Sequence, residues 1–285
     1  MATIFNQATL SIGGSITNSN TTEAEVVSGL SLTKTAINTT YGEGGSVVYT
    51  VTINNAGGGG YTNLTLTDNL GAYTLSGGGT AVPLTYVEGS IRYFLNGVLQ
   101  PAPTAVGAGE LTVSGIDLPA DSTALFIYEA NVNEFAPLAA GSTITNVAQT
   151  DGGIGVGIIS DEATVGVNEE PRLSIAKAVC PAVITDNGAL TYTIILQNLG
   201  NTPVIATDGA IISDLFNPVL SDITVTLNGE VLTEGVGYSY NEATGEFTTL
   251  DGVITVPAAT YTVNTDTGAV TTTPGVTVLT VSGTV

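Results

Sequence analysis

Hydrophobic and polar residues alternate along most of this chain, which is the pattern of half-buried β-strands. The alternation predicts strands at 47–53, 64–67, 91–95, 125–132, 190–196, 223–227 and 278–281. Asn-Gly pairs, typical of tight hairpin turns, stand at Asn96-Gly97, Asn187-Gly188 and Asn228-Gly229. No segment has a convincing helical period. The pattern therefore predicts an all-β chain of the sandwich type.

Two stretches of the chain repeat the same order of motifs. The first passes from Lys34 through G-G-S-V-V-Y-T-V-T-I-N-N-A-G and L-T-L-T-D-N-L to L-T-V-S-G at 111–115. The second passes from Lys177 through N-G-A-L-T-Y-T-I-I-L-Q-N-L-G and A-I-I-S-D-L-F to L-T-V-S-G at 279–283. On this alignment only the first continues into further strands. We therefore predict two tandem domains, at 29–168 and 169–285, the second lacking its last three strands.

Residues 1–28 resemble the strands that the second domain lacks. Residues 2–10 align with 124–132, 14–18 with 141–146, and 23–27 with 162–166. A sheet with open edges is a template for added strands. We therefore expect this N-terminal arm to complete the second domain of the next subunit, which gives a head-to-tail homopolymer that need not close. The alternative is a disordered tail followed by a smaller second domain.

Composition excludes several classes of function. The net charge is −21, which repels nucleic acids and anionic membranes, so we expect neither as a partner. The chain has no histidine and one cysteine, which excludes His-based catalysis and Cys/His zinc sites. We expect no cofactor or metal, and we expect Cys180 to be a small buried apolar residue. The sequence contains no apolar run long enough for a transmembrane helix and no secretory signal at its start.

The lysines occupy the same point of the repeat. Lys34 lies in L-S-L-T-K-T-A and Lys177 in L-S-I-A-K-A-V, and Lys and Arg together number only 4 of 285 residues. Such placement suggests that the amine has a specific role. The alternatives are an exposed lysine beside a carboxylate, or a buried Lys–Asp salt bridge, which would not necessarily add stability.

The motif series K…Y-T-V-T-I-N-N-A-G…L-T-L-T-D-N-L…I-T-N-V-A resembles the bacterial surface conserved-repeat domains (domain of unknown function 11). The resemblance implies immunoglobulin-like or transthyretin-like sandwiches in tandem on a cell surface. The architecture also resembles clostridial spore-appendage subunits. These resemblances imply an extracellular location, on a cell or spore surface. The missing signal peptide is compatible with release on mother-cell lysis and equally with a sequence given in its mature form. They imply self-association, with other surface or spore-coat proteins as further partners.

Related surface domains form Lys–Asn isopeptide bonds without an enzyme, and the resemblance implies the same chemistry here. A neutral lysine attacks an asparagine carboxamide that a carboxylic acid polarises, and burial favours the neutral forms. In the first domain Lys34 would join Asn146, with Asp68 as the acid. Glu129 is the rival acid, but its counterpart in the arm is Gln7, so Asp68 is preferred.

The second domain has the lysine and the acid but lacks the asparagine. Lys177 and Asp214 match Lys34 and Asp68, and the matching asparagine is Asn18 of the arm. If the arm comes from a neighbouring subunit, the Lys177–Asn18 bond joins two chains. The expected function is then a structural filament subunit with no enzymatic activity beyond its own cross-linking.

Two other functions remain open at the level of sequence. A monomeric adhesin or carbohydrate-binding module would have the same fold, with a binding face made from tyrosines at Tyr41, Tyr61, Tyr73 and Tyr86. A hydrolase would have to act through paired Asp and Glu side chains, for which no local motif is present.

Overall fold

The structure, a computed structural model, describes residues 2–26, 29–152, 157–185 and 188–285. Its regular elements are β-strands apart from one 3-10 turn at Ala206–Asp208, which confirms the predicted all-β class. The hairpins at Asn96-Gly97 and Asn228-Gly229 are also confirmed, with all four residues at positive φ as a tight hairpin turn requires. Asn187 of the third predicted turn lies outside the described residues. None of the described helical segments has the length and apolarity to cross a membrane.

The chain divides into two compact units. One comprises Met1–Pro137, Thr143–Val167 and Thr265–Ala269, and the other comprises Leu138–Ser142, Asn168–Asn264 and Val270–Val285.

The arm forms four short strands, which within the described part of the chain pair only with one another. They are β1 (Ala2–Asn6), β2 (Thr9–Ile12), β3 (Ser15–Asn18) and β4 (Thr22–Val26). The pairs are β1 with β4 and β2 with β3, both antiparallel. Every described side chain from residue 3 to residue 25 is exposed, so the arm contributes nothing to a core.

The first unit is a sandwich of two six-stranded sheets. Its strands are β5 (Leu30–Ala36), β6 (Thr40–Tyr41), β7 (Ser46–Asn55), β8 (Tyr61–Asp68), β9 (Tyr73–Thr74), β10 (Thr80–Ala81), β11 (Leu84–Tyr86), β12 (Arg92–Leu95), β13 (Val98–Leu99), β14 (Thr104–Gly107), β15 (Leu111–Leu118), β16 (Ser122–Val132), β17 (Thr143–Asp151) and β18 (Ile158–Val167). One sheet has the order β13-β12-β16-β7-β5, with β11 also paired to β16, and the other has the order β14-β15-β8-β17-β18-β6.

Period-two alternation builds the core of the first unit. Every second residue of β7 and β16 is fully buried, and the same alternation appears in β17. Because successive side chains of a strand point to opposite faces, each strand contributes one apolar row to the space between the sheets. The predicted strands at 47–53 and 125–132 are therefore confirmed and extended.

The second unit has one five-stranded sheet and one three-stranded sheet. Its strands are β19 (Leu173–Cys180), β20 (Ala189–Asn198), β21 (Ser213–Leu215), β22 (Ser221–Leu227), β23 (Glu230–Val231), β24 (Tyr238–Asn241), β25 (Glu246–Thr249), β26 (Thr260–Val263), β27 (Val270–Thr273) and β28 (Gly275–Thr284). The large sheet has the order β19-β20-β28-β22-β23, and the facing sheet is β21-β25-β24. β26 and β27 form a separate hairpin.

Strand pairing corrects the repeat alignment at its end. β28 pairs with β20 and β22 just as β16 pairs with β7 and β12, so β28 is the counterpart of β16 and not of the segment at 111–115. The true counterpart of that segment is β25, because Phe247 faces Asp214 as Leu111 faces Asp68. The prediction that the last three strands are missing is therefore wrong: β28 is the counterpart of β16, and among the described strands of the second unit there is none that matches β17 or β18. The shared residues Leu, Thr, Val, Ser and Gly would suit any alternating strand, so this short match did not identify the right counterpart. The β26–β27 hairpin also lengthens the chain before β28, so the last strand comes later in the second unit.

Candidate cross-linking sites

The first candidate site lies between the two sheets of the first unit. Lys34 extends inward from β5, and Asp68 is the last residue of β8 in the facing sheet. The side chains of the two residues are 0% and 1% exposed, and the lysine Nζ contacts Asp68 Oδ2 directly. A second acidic residue, Asp161, accepts a hydrogen bond from the backbone N–H of Lys34 at 2.8 Å. The predicted lysine and acid are thus adjacent and buried.

Burial decides the protonation of the lysine. Desolvation lowers the pKa of Lys34 to about 8, although Asp68 and, more weakly, Asp161 act to raise it. The ammonium also lies 4.7 Å from the centre of the Tyr49 ring and 5.9 Å from that of Tyr128. The lowered pKa favours the uncharged amine, which is the form that acts as a nucleophile.

The predicted asparagine completes the group. Asn146, on β17, is fully buried, and its Nδ2 donates a hydrogen bond to the hydroxyl of Tyr128 at 3.3 Å. The same hydroxyl donates to Asp68 Oδ2. The Oδ1 atom of Asn146 accepts a hydrogen bond from the backbone N–H of Gly71 at 3.1 Å, in the turn that follows Asp68. A donor on the carboxamide oxygen polarises the carbonyl and stabilises the negative charge that attack would place there.

The turn that carries this donor requires glycine. Gly71 has φ of +73°, and a Cβ atom there would lie 2.5 Å from Ile144 Cγ2. Its N–H also contacts Asn69 Oδ1 at 3.0 Å, and that oxygen in turn accepts from the Val147 backbone at 2.9 Å. Side-chain and backbone hydrogen bonds thus tie the turn to β17, the strand that carries Asn146.

Two aromatic residues of this site were not predicted from the sequence. Tyr49 and Tyr128 are buried with ring centres 5.6 Å apart, and burial raises the pKa of both. The alternation of period two could have identified Tyr128, because it turns Tyr128 toward the core and places Glu129, the rival acid, on the opposite face of β16. The carboxylate in contact with the lysine is therefore Asp68.

The second candidate site has the same pair in an open setting. Lys177 Nζ contacts Asp214 Oδ2, but the two side chains are 38% and 17% exposed. The ammonium lies 4.4 Å from the Tyr192 ring centre and 5.1 Å from that of Phe216. Asn18 lies on β3, where its Oδ1 accepts a hydrogen bond from the Thr9 hydroxyl at 3.1 Å.

The second site is open because the strand that carries its lysine is uncovered. All eight residues of β19 are exposed, whereas alternate residues of its counterpart β5 are buried. Ile175 is 64% exposed, and the matching Leu32 is 8% exposed. The expectation that Cys180 is buried is wrong for the same reason: it is the last residue of β19 and is exposed.

The four tyrosines considered for sugar binding do not form one exposed face. Tyr41 and Tyr86 are buried. The hydroxyl groups of Tyr41 and Tyr73 donate to backbone carbonyls of the first unit. Packing and local hydrogen bonding therefore account for Tyr41, Tyr73 and Tyr86.

Comparison with known proteins gives only distant similarity. No family model and no curated protein matches the chain, so the motif resemblance to conserved-repeat domains stays a prediction. Among solved structures, it is similar to the pilus backbone RrgB of Streptococcus pneumoniae, at 10% identity and a TM-score of 0.34 over 86% of this chain and 55% of that one. It is similar to the major pilin SpaD of Corynebacterium diphtheriae at 11% identity and a TM-score of 0.36, over 85% and 58% of the two chains.

A third solved structure is a single domain. The collagen-binding domain of a Staphylococcus aureus adhesin has 14% identity and a TM-score of 0.31, over 50% of this chain and 99% of that one. The chain spans just over half the length of the two pilins. These identities and TM-scores are too low to transfer a function to this chain.

Proposed function

We propose that the chain is a structural subunit of an extracellular filament on a cell or spore surface. Subunits join head to tail when the arm of one supplies strands to the second unit of the next. Lys34–Asn146 bonds then lock each first unit, and Lys177–Asn18 bonds join neighbouring subunits covalently. The observation that carries this proposal is the contrast between β5, covered and half buried, and β19, its fully exposed counterpart.

The uncovered face of the second unit has the form of a strand-acceptor groove. A groove of about 340 Å³ runs beside β19 and is lined mainly by apolar residues, among them Leu173, Ile175, Leu196, Ile212, Ile254 and Val256. In the first unit, β17 and β18 pack over β5. An open apolar face of this kind is typical of a surface that binds a partner.

A free strand edge lies beside the groove. In the first unit β8 pairs with β15 on one side and with β17 on the other, where Ala148 faces Asp68. Its counterpart β21 pairs with β25, and no described strand pairs with its other edge. An added strand would satisfy these backbone groups and place its side chains beside Asp214.

The arm carries residues that suit the groove beside β19 and the free edge of β21. Ile16 and Asn18 of β3 match Ile144 and Asn146 of β17, and the arm residue is exposed in each case while its counterpart is buried. Ala24 of β4 matches Ala163 of β18 in the same way. Insertion would bury these apolar side chains, at a gain of about 1.5–3 kcal/mol for a residue such as isoleucine.

The first test is a denaturing gel of purified protein boiled with reductant. Filaments joined by isopeptide bonds should give a ladder of multiples that survives this treatment. Lys177→Ala and Asn18→Ala should each abolish the ladder, because each removes one partner of the bond between subunits. Lys34→Ala is the matched control, since it removes the equivalent amine from the first unit and should leave the ladder in place.

Mass spectrometry separates this proposal from a monomeric adhesin. Each isopeptide bond expels one ammonia, so the first-unit bond lowers the chain mass by about 17 Da. A single monomer band with no mass loss would contradict both bonds. A monomer band with one lost ammonia would contradict the bond between subunits.

A further inference from the structure

The hydroxyl group of Tyr128 lies between the acid and the amide of the first site. It donates to Asp68 Oδ2 and accepts from Asn146 Nδ2 at 3.3 Å. Within the described chain, the side chain of Asp68 otherwise bonds Lys34 and the backbone N–H of Leu70. The acid therefore reaches the amide nitrogen, which must leave as ammonia, through the tyrosine.

We propose that Tyr128 is a catalytic residue of cross-linking in the first unit, and that it passes a proton from Asp68 to the departing nitrogen of Asn146. This inference rests on the proposed Lys34–Asn146 bond. It assigns the tyrosine a chemical step in addition to its place in the core.

The reaction consists of attack, proton transfer and loss of ammonia. The Lys34 ammonium gives one proton to Asp68, and the neutral amine attacks Cγ of Asn146, forming a C–N bond and a negative Oδ1 that the Gly71 N–H stabilises. Tyr128 then gives its hydroxyl proton to Nδ2 and takes the proton held by Asp68. Asp68, again a carboxylate, accepts the second proton of the attacking nitrogen, and this proton finally leaves with ammonia as ammonium. The Cγ–Nδ2 bond breaks, ammonia leaves, and Oδ1 becomes a carbonyl oxygen again.

The hydrogen bond between Tyr128 and Asn146 has to reverse during this reaction. In a planar carboxamide the lone pair of Nδ2 is delocalised, so the nitrogen donates and does not accept. Attack at Cγ makes the nitrogen tetrahedral and basic, so it can accept a proton from a hydroxyl already in contact with it. Burial raises the pKa of Tyr128, which keeps that hydroxyl protonated until the nitrogen becomes basic.

The second unit has no hydroxyl at this place. Tyr128 faces Tyr49 across β16 and β7, and the equivalent residue facing Tyr192 is Val281 of β28. Valine cannot carry a proton. The bond between subunits should therefore form more slowly than the bond within the first unit, so that a subunit locks its own core before it is joined irreversibly to a neighbour.

The test compares Tyr128→Phe with Tyr86→Phe. Both variants keep an aromatic ring, and the two rings pack edge to face with centres 6.4 Å apart, but the Tyr128 hydroxyl is the one bonded to Asp68 and Asn146. Freshly synthesised, unreacted chain is kept unfolded in urea and refolded by dilution, and loss of ammonia is followed by intact mass. Tyr128→Phe should slow the reaction by a factor on the order of 10². Tyr86→Phe removes a hydroxyl from the neighbouring ring and should react at the rate of the unaltered chain.

A second measurement separates proton transfer from packing. A chain with 3,5-difluorotyrosine at position 128 keeps the ring and hydroxyl but has a more acidic proton, so it should lose ammonia faster. An unaltered rate there, or a Tyr128→Phe chain that reacts at the normal rate, would overturn the role of Tyr128. If the unaltered chain never loses ammonia, the cross-linking proposal itself fails, which is a different result.

Discussion

The two lysines show how burial changes the chemistry of one residue type. Both contact an aspartate and lie over aromatic rings, yet the Lys34 side chain is 0% exposed and that of Lys177 is 38% exposed. The pKa of Lys34 falls to about 8 because the surrounding sheets remove its hydration. An added strand over Lys177 would produce similar burial, which couples docking of the arm to activation of the amine.

Bond formation in the first unit should slow as the pH rises above 8. The reacting pair, neutral Lys34 beside protonated Asp68, holds the same single proton as the resting ion pair, and that proton is lost as the pH passes the lysine pKa of about 8. The rate of ammonia loss after refolding, measured by intact mass between pH 6 and pH 9.5, should be nearly constant below pH 7 and should fall above pH 8. A rate that rises through this range would contradict Asp68 as the source of the proton that Tyr128 passes on.

The stability of an unlocked chain should also depend on pH. In Asn146→Ala no bond can form, and Lys34 holds its proton less tightly when folded (pKa about 8) than when unfolded (10.5). Between these values the unfolded chain binds more protons, so the free energy of unfolding rises with pH. We expect a gain on the order of 1 kcal/mol between pH 8 and pH 9.5, measured by urea denaturation.

The matched control for this pH dependence is Lys34→Met in the Asn146→Ala chain. It removes the titrating amine and keeps a long apolar side chain, so its stability should be nearly flat over the same range. The measurement stops below pH 10 because burial raises the pKa of Tyr49 and Tyr128, and their ionisation in the unfolded chain acts in the opposite direction. Equal slopes in the two chains would exclude Lys34 as the source.

At the scale of elements, the arm and β19 are two exposed surfaces with complementary patterns. β19 presents Leu173, Ile175 and Val179 on the face that β5 buries. The arm presents Ile16 on β3, which is 69% exposed, whereas its counterpart Ile144 is 2% exposed. Alternation decides which residues of the arm would enter a neighbouring unit.

Ile16→Asp should abolish polymerisation, whereas Thr17→Asp should leave it nearly intact. Insertion would turn residue 16 toward the core and residue 17 toward solvent, and burying an unpaired carboxylate costs several kcal/mol. Both variants add the same charge to the same exposed strand, so the folded monomer should tolerate both. Polymer length is measured by sedimentation and by the boiled gel. Equal behaviour of the two variants would rule out an inserted β3.

At the scale of the whole molecule, the arm and the acceptor groove make every subunit both a donor and an acceptor. Such head-to-tail contact uses two different surfaces and therefore extends without closing. A subunit that lacks one of these surfaces can still bind a filament end through the other surface, but no further subunit can bind to it.

A chain without residues 2–26 should act as a terminator. It keeps the groove of the second unit but has no strands to donate, so it should occupy one filament end and stop growth there. Mixed with full-length chain, it should shorten the ladder on a denaturing gel in proportion to its share. The same deletion with Lys177→Ala is the control, because it cannot be joined covalently. A ladder that does not change on addition would contradict the arm as donor.

The fold class, most of the strands and the lysine–aspartate pair of each candidate site could be predicted from the sequence. Alternation is a local property, so β7, β16 and β20 could be located from neighbouring residues alone. The repeat placed Lys34 with Asp68 and Lys177 with Asp214, and each pair is in contact. Equivalent strands place equivalent side chains together, so a repeated motif carries information about contacts.

Tertiary structure alone decided which strand occupies which place. The last strand of the chain could be read as a counterpart of β15 or β16, because both alternate in the same way, and only pairing with β20 and β22 identified β28 as the counterpart of β16. The tertiary structure also brought the Tyr128 hydroxyl and the Gly71 N–H into contact with Asn146. In the second unit it placed Val281 opposite Tyr192. These contacts join residues distant in sequence, and local patterns cannot encode them, because the partner of a strand depends on the path of the whole chain.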